Sequence, residues 1–494
     1  MKKRFISIAL AVTALFGVLA VPVSARTKFQ MDYVYVDNKN EKLSNGTGRV
    51  YIPVTYTVDG VLSYVDDEED ITSFSSPQDI FIDPQDNLYI ADTGNNRIVK
   101  MSADGNTLAV WYMASESAFS EPQGVYVDSD NNIYVADSGN YRIVIMTQDG
   151  IMLDEIHKPD SELLSSMAEE SFIPTKVAVG ATGYIYTLVG KNFMSIDRNH
   201  EFKGYIGASK VGFSLVYTLL GLVLNDEQMD RIDKRTPPPY NNFTFDSEGK
   251  FLACSADSKN QIRILNTNGQ NIYPTGYYGE IFSIDAEGKD YVHPNMIDLV
   301  SDSDGIISVL DSKSGCIYQY DREGNILTVF GGKGDNLGYF DLPVSIAADS
   351  KNNIYVVDSL RQNIQRFSTT SFCNQIHTAA RLYYDGKYDE SLKEWEQITT
   401  LCPDYPLARR RIGQIYYKDG KYKEAEEQFY RVGDMKGYSD AFVKHRMQTV
   451  SDHFLAVAII LIAAVSLLLA AIMYLRRVSD RIRDRLYAGG KINR

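Results

Sequence analysis

Two stretches of the chain carry the same rhythm of short apolar runs and polar turns. Residues 77–105 read PQDIFIDPQDNLYIADTGNNRIVKMSADG, and residues 122–150 read PQGVYVDSDNNIYVADSGNYRIVIMTQDG. They align without a gap at an offset of 45 residues. In the first, Ile80–Asp83 gives way to a polar turn, then Leu88–Ala91, a second turn, Arg97–Met101 and Asp104-Gly105. Runs this short match strands rather than helices, with Asp, Asn and Gly supplying the turns. A repeat of this length and texture predicts an antiparallel blade, its fourth strand following the Asp-Gly.

These units resemble the NHL-repeat family, whose pattern is P-x-x-I-x-V-D…N-x-Y-V-A-D-x-x-N-x-R-I. A unit from Pro343 keeps Tyr355 and Asp358 at the offsets of Tyr89 and Asp92, and one from Pro294 has two extra residues before Asp311. Units near Pro174 and Pro239 keep the apolar rhythm, with Val189 and Cys254 expected at the Asp position. The resemblance spans about Val50 to Ser368 and implies a mainly β fold, a six-bladed β-propeller. The sixth unit ends at Phe367 without a fourth strand. Val50–Val65 is strand-like and is expected to supply it, closing the ring and removing an open edge.

Between the third and fourth units, Gly212–Tyr240 breaks the rhythm. Its run Phe213–Leu224 is apolar and helix-compatible, but at 12 residues too short to span a membrane. The insert, bounded at 208–238, is expected to pack across the propeller face or to serve as a lid or partner-docking helix. Phe213, Leu215, Tyr217, Leu219 and Leu222 are its candidate contact residues.

After Phe372 the period changes. ARLYYDGKYDESLKEWEQI and GQIYYKDGKYKEAEEQFYRV align at an offset of 34, pairing Tyr383 with Tyr417, Gly386 with Gly420, Tyr388 with Tyr422 and Trp395 with Phe429. This resembles two tetratricopeptide hairpins within 371–450, with Ser391 and Leu382 as departures from the family pattern. Two hairpins are few for a free-standing stack. They are expected to lean on the propeller or on a helix from Ser439.

The ends add a membrane. Lys2, Lys3 and Arg4 precede the apolar Ile6–Val21 and a Val23-Ser24-Ala25 cleavage site, so 1–25 reads as a secretory signal peptide. Phe454–Tyr474 has 21 residues and no charge, enough to cross a hydrocarbon core of roughly 30 Å, and 453–475 reads as a transmembrane helix. The tail 476–494 carries seven Arg or Lys against two Asp, which favours a cytoplasmic tail and an extracytoplasmic propeller, 26–370. The +3 of the signal and +5 of the tail leave the region between near −22 of the total −14. An acidic ectodomain argues against nucleic acid as a partner.

The sequence offers no catalytic, cofactor-binding or metal-binding set. Of six His, only His293 precedes an expected innermost strand. The repeated Asp92, Asp137 and Asp358 read as turn acceptors braced by Arg97 and Arg142, and Asp83–Asn87, Asp128–Asn132 and Ser301–Gly305 as Asx turns in preference to calcium loops. Cys254 and Cys316 fit a buried core. Cys373 and Cys402 fall at adjacent hairpin ends, where a disulfide is geometrically reasonable. The resulting reading is a membrane-anchored binding or scaffold protein for a protein partner or a carbohydrate or peptide ligand. The alternative, implied by gluconolactonase-type relatives of the fold, is a membrane-tethered metal-dependent lactonase or lyase.

Overall fold

The computed structural model describes residues 32–35, 48–67, 70–161, 164–165, 167–207, 239–246, 248–255, 257–266, 269–280, 282–283 and 291–489. The expected signal peptide and the insert 208–238 lie outside the described residues. The chain divides into two compact units, one ending at Leu407 and the other starting at Ala408. The boundary therefore follows the first helical hairpin instead of preceding it.

The first unit is a six-bladed β-propeller. Blade one comprises Asp79–Ile82, Leu88–Asp92, Arg97–Met101 and Thr107–Trp111. Blade two comprises Pro122–Val127, Ile133–Asp137, Arg142–Met146 and Met152–Ile156, and blade three Pro174–Val179, Ile185–Val189, Asn192–Ile196 and Phe202–Tyr205. Blade four has Tyr240–Phe245, Phe251–Ser255 and Ile262–Leu265. Its edge is capped locally: Ile272 N–H donates to Ile264 O at 2.8 Å and Ile264 N–H to Asn271 Oδ1 at 3.1 Å. Blade five has Met296–Ser301, Ile307–Asp311, Cys316–Tyr320 and Ile326–Gly331, and blade six Pro343–Ala348, Ile354–Asp358 and Asn363–Thr369. Each first strand neighbours the next around the ring, from blade six back to blade one. Apolar side chains alternate off the strands and fill the spaces between blades, as Tyr89, Trp111, Val125, Val135 and Met146 do between blades one and two.

Tyr56–Leu62 completes blade six, pairing antiparallel with Asn363–Thr369 from Tyr56↔Thr369 to Leu62↔Ile364. The expected clasp is present. A second contact was not foreseen: Tyr33–Tyr35 pairs with Ile326–Gly331 and with Arg49–Tyr51, so blade five carries two extra strands. Arg49 and Tyr33 OH both donate to Glu280, the guanidinium from two nitrogens at 2.7–3.0 Å. Buried Asp32 accepts from Thr55 N–H at 2.5 Å and Thr55 Oγ1 at 2.6 Å, and Thr55 Oγ1 reaches Thr328 Oγ1 at 2.9 Å. The N-terminal segment thus ties blade five to blade six before it enters the ring.

Helix α1 (Ser371–Tyr384) leaves blade six directly, with Thr370 Oγ1 capping Cys373 N–H, and packs against α2 (Tyr388–Leu401). It lies on the face that carries the turns after each first strand. Arg381 approaches Asp304 at 3.6 Å there, and the Arg322 guanidinium stands over the Tyr384 ring. Tyr405 OH donates to Leu327 O at 2.6 Å, which ties the end of the hairpin to blade five. By strand parity Gly207 and Pro239, which flank the insert, lie at the opposite face.

In the second unit, α3 (Pro406–Lys418, most of it past the boundary), α4 (Tyr422–Arg431) and α5 (Met435–Asp452) precede α6 (Phe454–Gly489). Helix α5 starts at Met435, four residues before the expected Ser439, because Asp434 caps it by accepting from Gly437 N–H. Phe429 is the core aromatic, packed with Ala425 and Ala441. A Cβ on Gly413 or Gly437 would come within 2.9 and 2.7 Å of its ring, so these glycines make room for it. Helix α6 is long and apolar enough to cross a membrane over Phe454–Leu486.

Deleting residues 26–65 is expected to destabilise the whole propeller, not only its N-terminus, by more than about 4 kcal/mol, beyond the range of most single substitutions. Denaturant melts of the full chain and the deletion check this. Unchanged midpoints would refute the clasp.

Candidate functional site

The propeller axis is where six blades bring equivalent positions together. In blades two to six a β-bulge interrupts the start of the first strand, between Pro122/Gly124, Pro174/Lys176, Tyr240/Asn242, Met296/Asp298 and Pro343/Ser345. A bulge re-aims the residue that follows it. The six residues at this level, opposite Ala91, Ala136, Leu188, Cys254, Leu310 and Val357, are Asp79, Gly124, Lys176, Asn242, Asp298 and Ser345.

Four of them form one network. Lys176 Nζ donates to Asp79 Oδ1 at 2.6 Å. Ser345 Oγ lies 3.0 Å from Asp79 Oδ1 and 2.7 Å from Asp298 Oδ2. Main-chain donors complete it: Val125 N–H to Asp79 Oδ2 at 3.1 Å, Ile346 N–H to Asp298 Oδ2 and Leu299 N–H to Asp298 Oδ1, both at 2.9 Å. Asp79 and Asp298 are each 2% exposed. Gly124 admits the Lys176 backbone: a Cβ there would fall 2.8 Å from Thr175 O and 3.0 Å from Lys176 Cα. The network joins blades one, two, three, five and six. Its ammonium disfavours a cation at the same point.

A second buried polar cluster keys α1 to the ring. His377 Nε2 lies 3.2 Å from Gln319 Oε1 and 3.5 Å from Cys373 Sγ, while Gln319 Nε2 donates to Tyr56 OH and Ser308 Oγ, both at 2.9 Å. Burial pushes the His377 imidazole down to about 4 and the Cys373 thiol well up, so both are neutral near pH 7. A buried neutral thiol beside a neutral imidazole is not an activated nucleophile.

The residues singled out in the sequence are dispersed. Asp92 accepts from Ser75 N–H, Asn95 Nδ2 and Arg97 Nε at 2.7, 2.9 and 2.7 Å, and Asp137 does the same with Ser120, Asn140 and Arg142. These are the turn braces expected. At the register of Asp137, blade four holds Ser255, not Cys254, because Tyr240 rather than Pro239 is the first paired residue. Asp83, Asp128 and Asp302 each accept two following main-chain N–H groups, as Asx turns do. Among the described residues no group of three or more His, Cys, Asp or Glu is arranged to hold a metal. His293 is exposed beside the ring.

The Cys373–Cys402 disulfide is not formed; all four cysteines are free thiols. Helix α1 turns Cys373 inward to His377, whereas Cys402 Sγ points at Tyr51 O at 3.9 Å. Phe213, Leu215, Tyr217, Leu219 and Leu222 lie outside the described residues. Sequence reasoning missed the axial network because its members share a position and not a residue type. The one shared signal is the apolar residue that follows each of them: Ile80, Val125, Val177, Phe243, Leu299 and Ile346.

Replacing Lys176 with Met leaves the buried Asp79 carboxylate without its counter-ion, and breaking such a pair costs roughly 3–5 kcal/mol. A denaturant melt of the variant near pH 7.5 is expected to show a loss of that order. A change below about 0.5 kcal/mol, the range of surface substitutions, would contradict the network.

The NHL repeat profile matches residues 74–101 and 119–146, within blades one and two, and the TPR repeat profile matches 380–420. No curated protein matches the chain. Among solved structures, a streptogramin B lyase is 13% identical, with TM-score 0.39, covering 62% of this chain and 86% of that one. Virginiamycin B lyase from Staphylococcus aureus is 12% identical, TM-score 0.39, covering 63% and 99%. The WD40 β-propeller domain of Doa1 is 11% identical, TM-score 0.37, covering 64% and 98%. None of these likenesses bears on activity. The chain is a six-bladed propeller that carries NHL repeats at its first two blades, continued by a segment matching the TPR repeat and by a helix long and apolar enough to cross a membrane.

Proposed function

We propose that this protein is a membrane-anchored, extracytoplasmic scaffold whose propeller binds a partner protein, or a carbohydrate or peptide. The observation that carries this reading is the filled axis. Where a lactonase or lyase of this fold needs polar groups free to meet substrate or metal, Asp79, Lys176, Asp298 and Ser345 are spent on one another. Retention at the membrane is assigned to α6, with the basic tail 476–494 inside and the signal 1–25 directing export. The helical hairpin covers one face of the ring, so partner contact is assigned to the other, where the flanks of the apolar insert emerge. An apolar segment on a secreted surface needs burial by something.

Protease added to intact cells or protoplasts is expected to remove nearly all of the chain except anchor and tail; full protection of the propeller would reverse the topology. A crosslinking pull-down from membranes compares wild type with a variant carrying Leu215→Glu, Leu219→Glu and Leu222→Glu. The variant is expected to lose partners at least tenfold. Equal retention, with metal-dependent turnover of sugar lactones by the wild type, would promote the enzyme.

A further inference from the structure

Ser345 has one hydroxyl hydrogen and two carboxylate neighbours, Asp79 Oδ1 at 3.0 Å and Asp298 Oδ2 at 2.7 Å. A hydroxyl donates once and accepts twice. If both carboxylates are ionised, one of these oxygen–oxygen contacts contains no proton and is repulsive. Ile80 N–H, 3.4 Å from Ser345 Oγ, occupies one acceptor position and leaves one open.

The charges are unbalanced in the same way. Asp298 is faced by Asp79 from blade one, Lys176 from blade three, the Cys254 thiol from blade four, and Ser345 with Ile346 N–H from blade six. Lys176 is the cation of this group, and its ammonium lies 2.6 Å from Asp79. Asp79 has that ammonium in contact, while Asp298 has N–H donors and no counter-ion in contact. A buried charge without a counter-ion is costly, and the group takes a proton instead.

We propose that Asp298 holds a proton in the closed ring and donates it to Ser345, making the propeller axis a proton-binding site that loads on acidification. The chain then runs from Asp298 Oδ2–H to Ser345 Oγ and from Ser345 O–H to Asp79 Oδ1, which also accepts from Lys176 Nζ. Each hydrogen has one acceptor, and both acceptor positions of Ser345 are filled. Burial, reinforced by the Asp79 charge and opposed by Lys176, pushes the Asp298 carboxyl up to about 6 from its ordinary 3.8. A folded value above the unfolded one stabilises the ring fully below pH 3.8, and that contribution fades as pH rises through about 6.

Infrared spectroscopy of the full chain in detergent tests this between pH 5 and 8. The wild type is expected to show carboxylic-acid C=O absorption that fades with a midpoint near 6, with Asp298 as one component beside Asp32 and Asp302, which burial also pushes up to about 6. Asp298→Asn is expected to remove one fading component, read as the wild-type minus variant difference spectrum, and to reduce the wild type's gain in Tm on the acid side. Ser345→Ala, which removes the acceptor, is expected to keep a titrating band at a shifted frequency. A band of undiminished intensity in Asp298→Asn, no such band in the wild type, or a band in Ser345→Ala with no component shifted would each overturn the proposal. Should Asp298→Asn not fold, the wild type and Ser345→Ala still decide between the outcomes.

Discussion

Six strands converging on one axis force polar groups into a space with little water, and the propeller depends on how those groups are satisfied. A buried ammonium and two buried carboxylates are tolerable only when each finds partners of the right sign and hydrogen count. Here the partners come from different blades. Lys176 reaches Asp79 across two blades, and Ser345 bridges Asp79 to Asp298. The apolar faces between blades supply most of the burial, but they join only neighbours. The axial network also links blade three to blade one across blade two, so it reports on closure of the whole ring.

Closure at the rim uses a different means. Backbone pairing of Tyr56–Leu62 with Asn363–Thr369 closes blade six, and the preceding Tyr33–Tyr35 widens blade five. Asp32, Thr55 and Tyr56 sit where these strands cross from one blade to the other, close to His377 and Cys373 of α1. The segment that closes the ring and the helix that leaves it therefore share one buried polar junction. This explains why the compact unit extends to Leu407: the first hairpin rests on the same junction and on Tyr405.

Much of this was legible in the sequence. The first two units keep strand, turn and Asp–Arg brace at identical offsets, so the blade, its turns and the need for a closing strand could all be read from them. Legibility faded where one residue changes a register. A single-residue slip at Tyr240 moved the expected turn position from Ser255 to Cys254, and a cap at Asp434 moved α5 four residues earlier. Tyr33–Tyr35 is too short to announce itself by alternation. The Cys373–Cys402 pairing followed from hairpin ends alone and failed because burial against blades five and six, not the hairpin, sets where Cys373 points. The axial residues were invisible as a set because their chemistry differs from blade to blade and emerges only when the ring is assembled.

The clasp has a consequence for how the chain comes to exist. Val58 pairs with Phe367, more than 300 residues later. Synthesis delivers the N-terminal strand before every blade and its partner only after the other five, so for most of translation that strand has no place to go. Five blades can assemble as they emerge, each on its predecessor, while residues 56–62 wait. Such long-range pairing is slow, because loop closure must be paid for before the contact rewards it. A chain interrupted before Thr369 would then hold an open ring with two unpaired edges. Closure is therefore a question of order: the first strand finds its place only once blade six has been made.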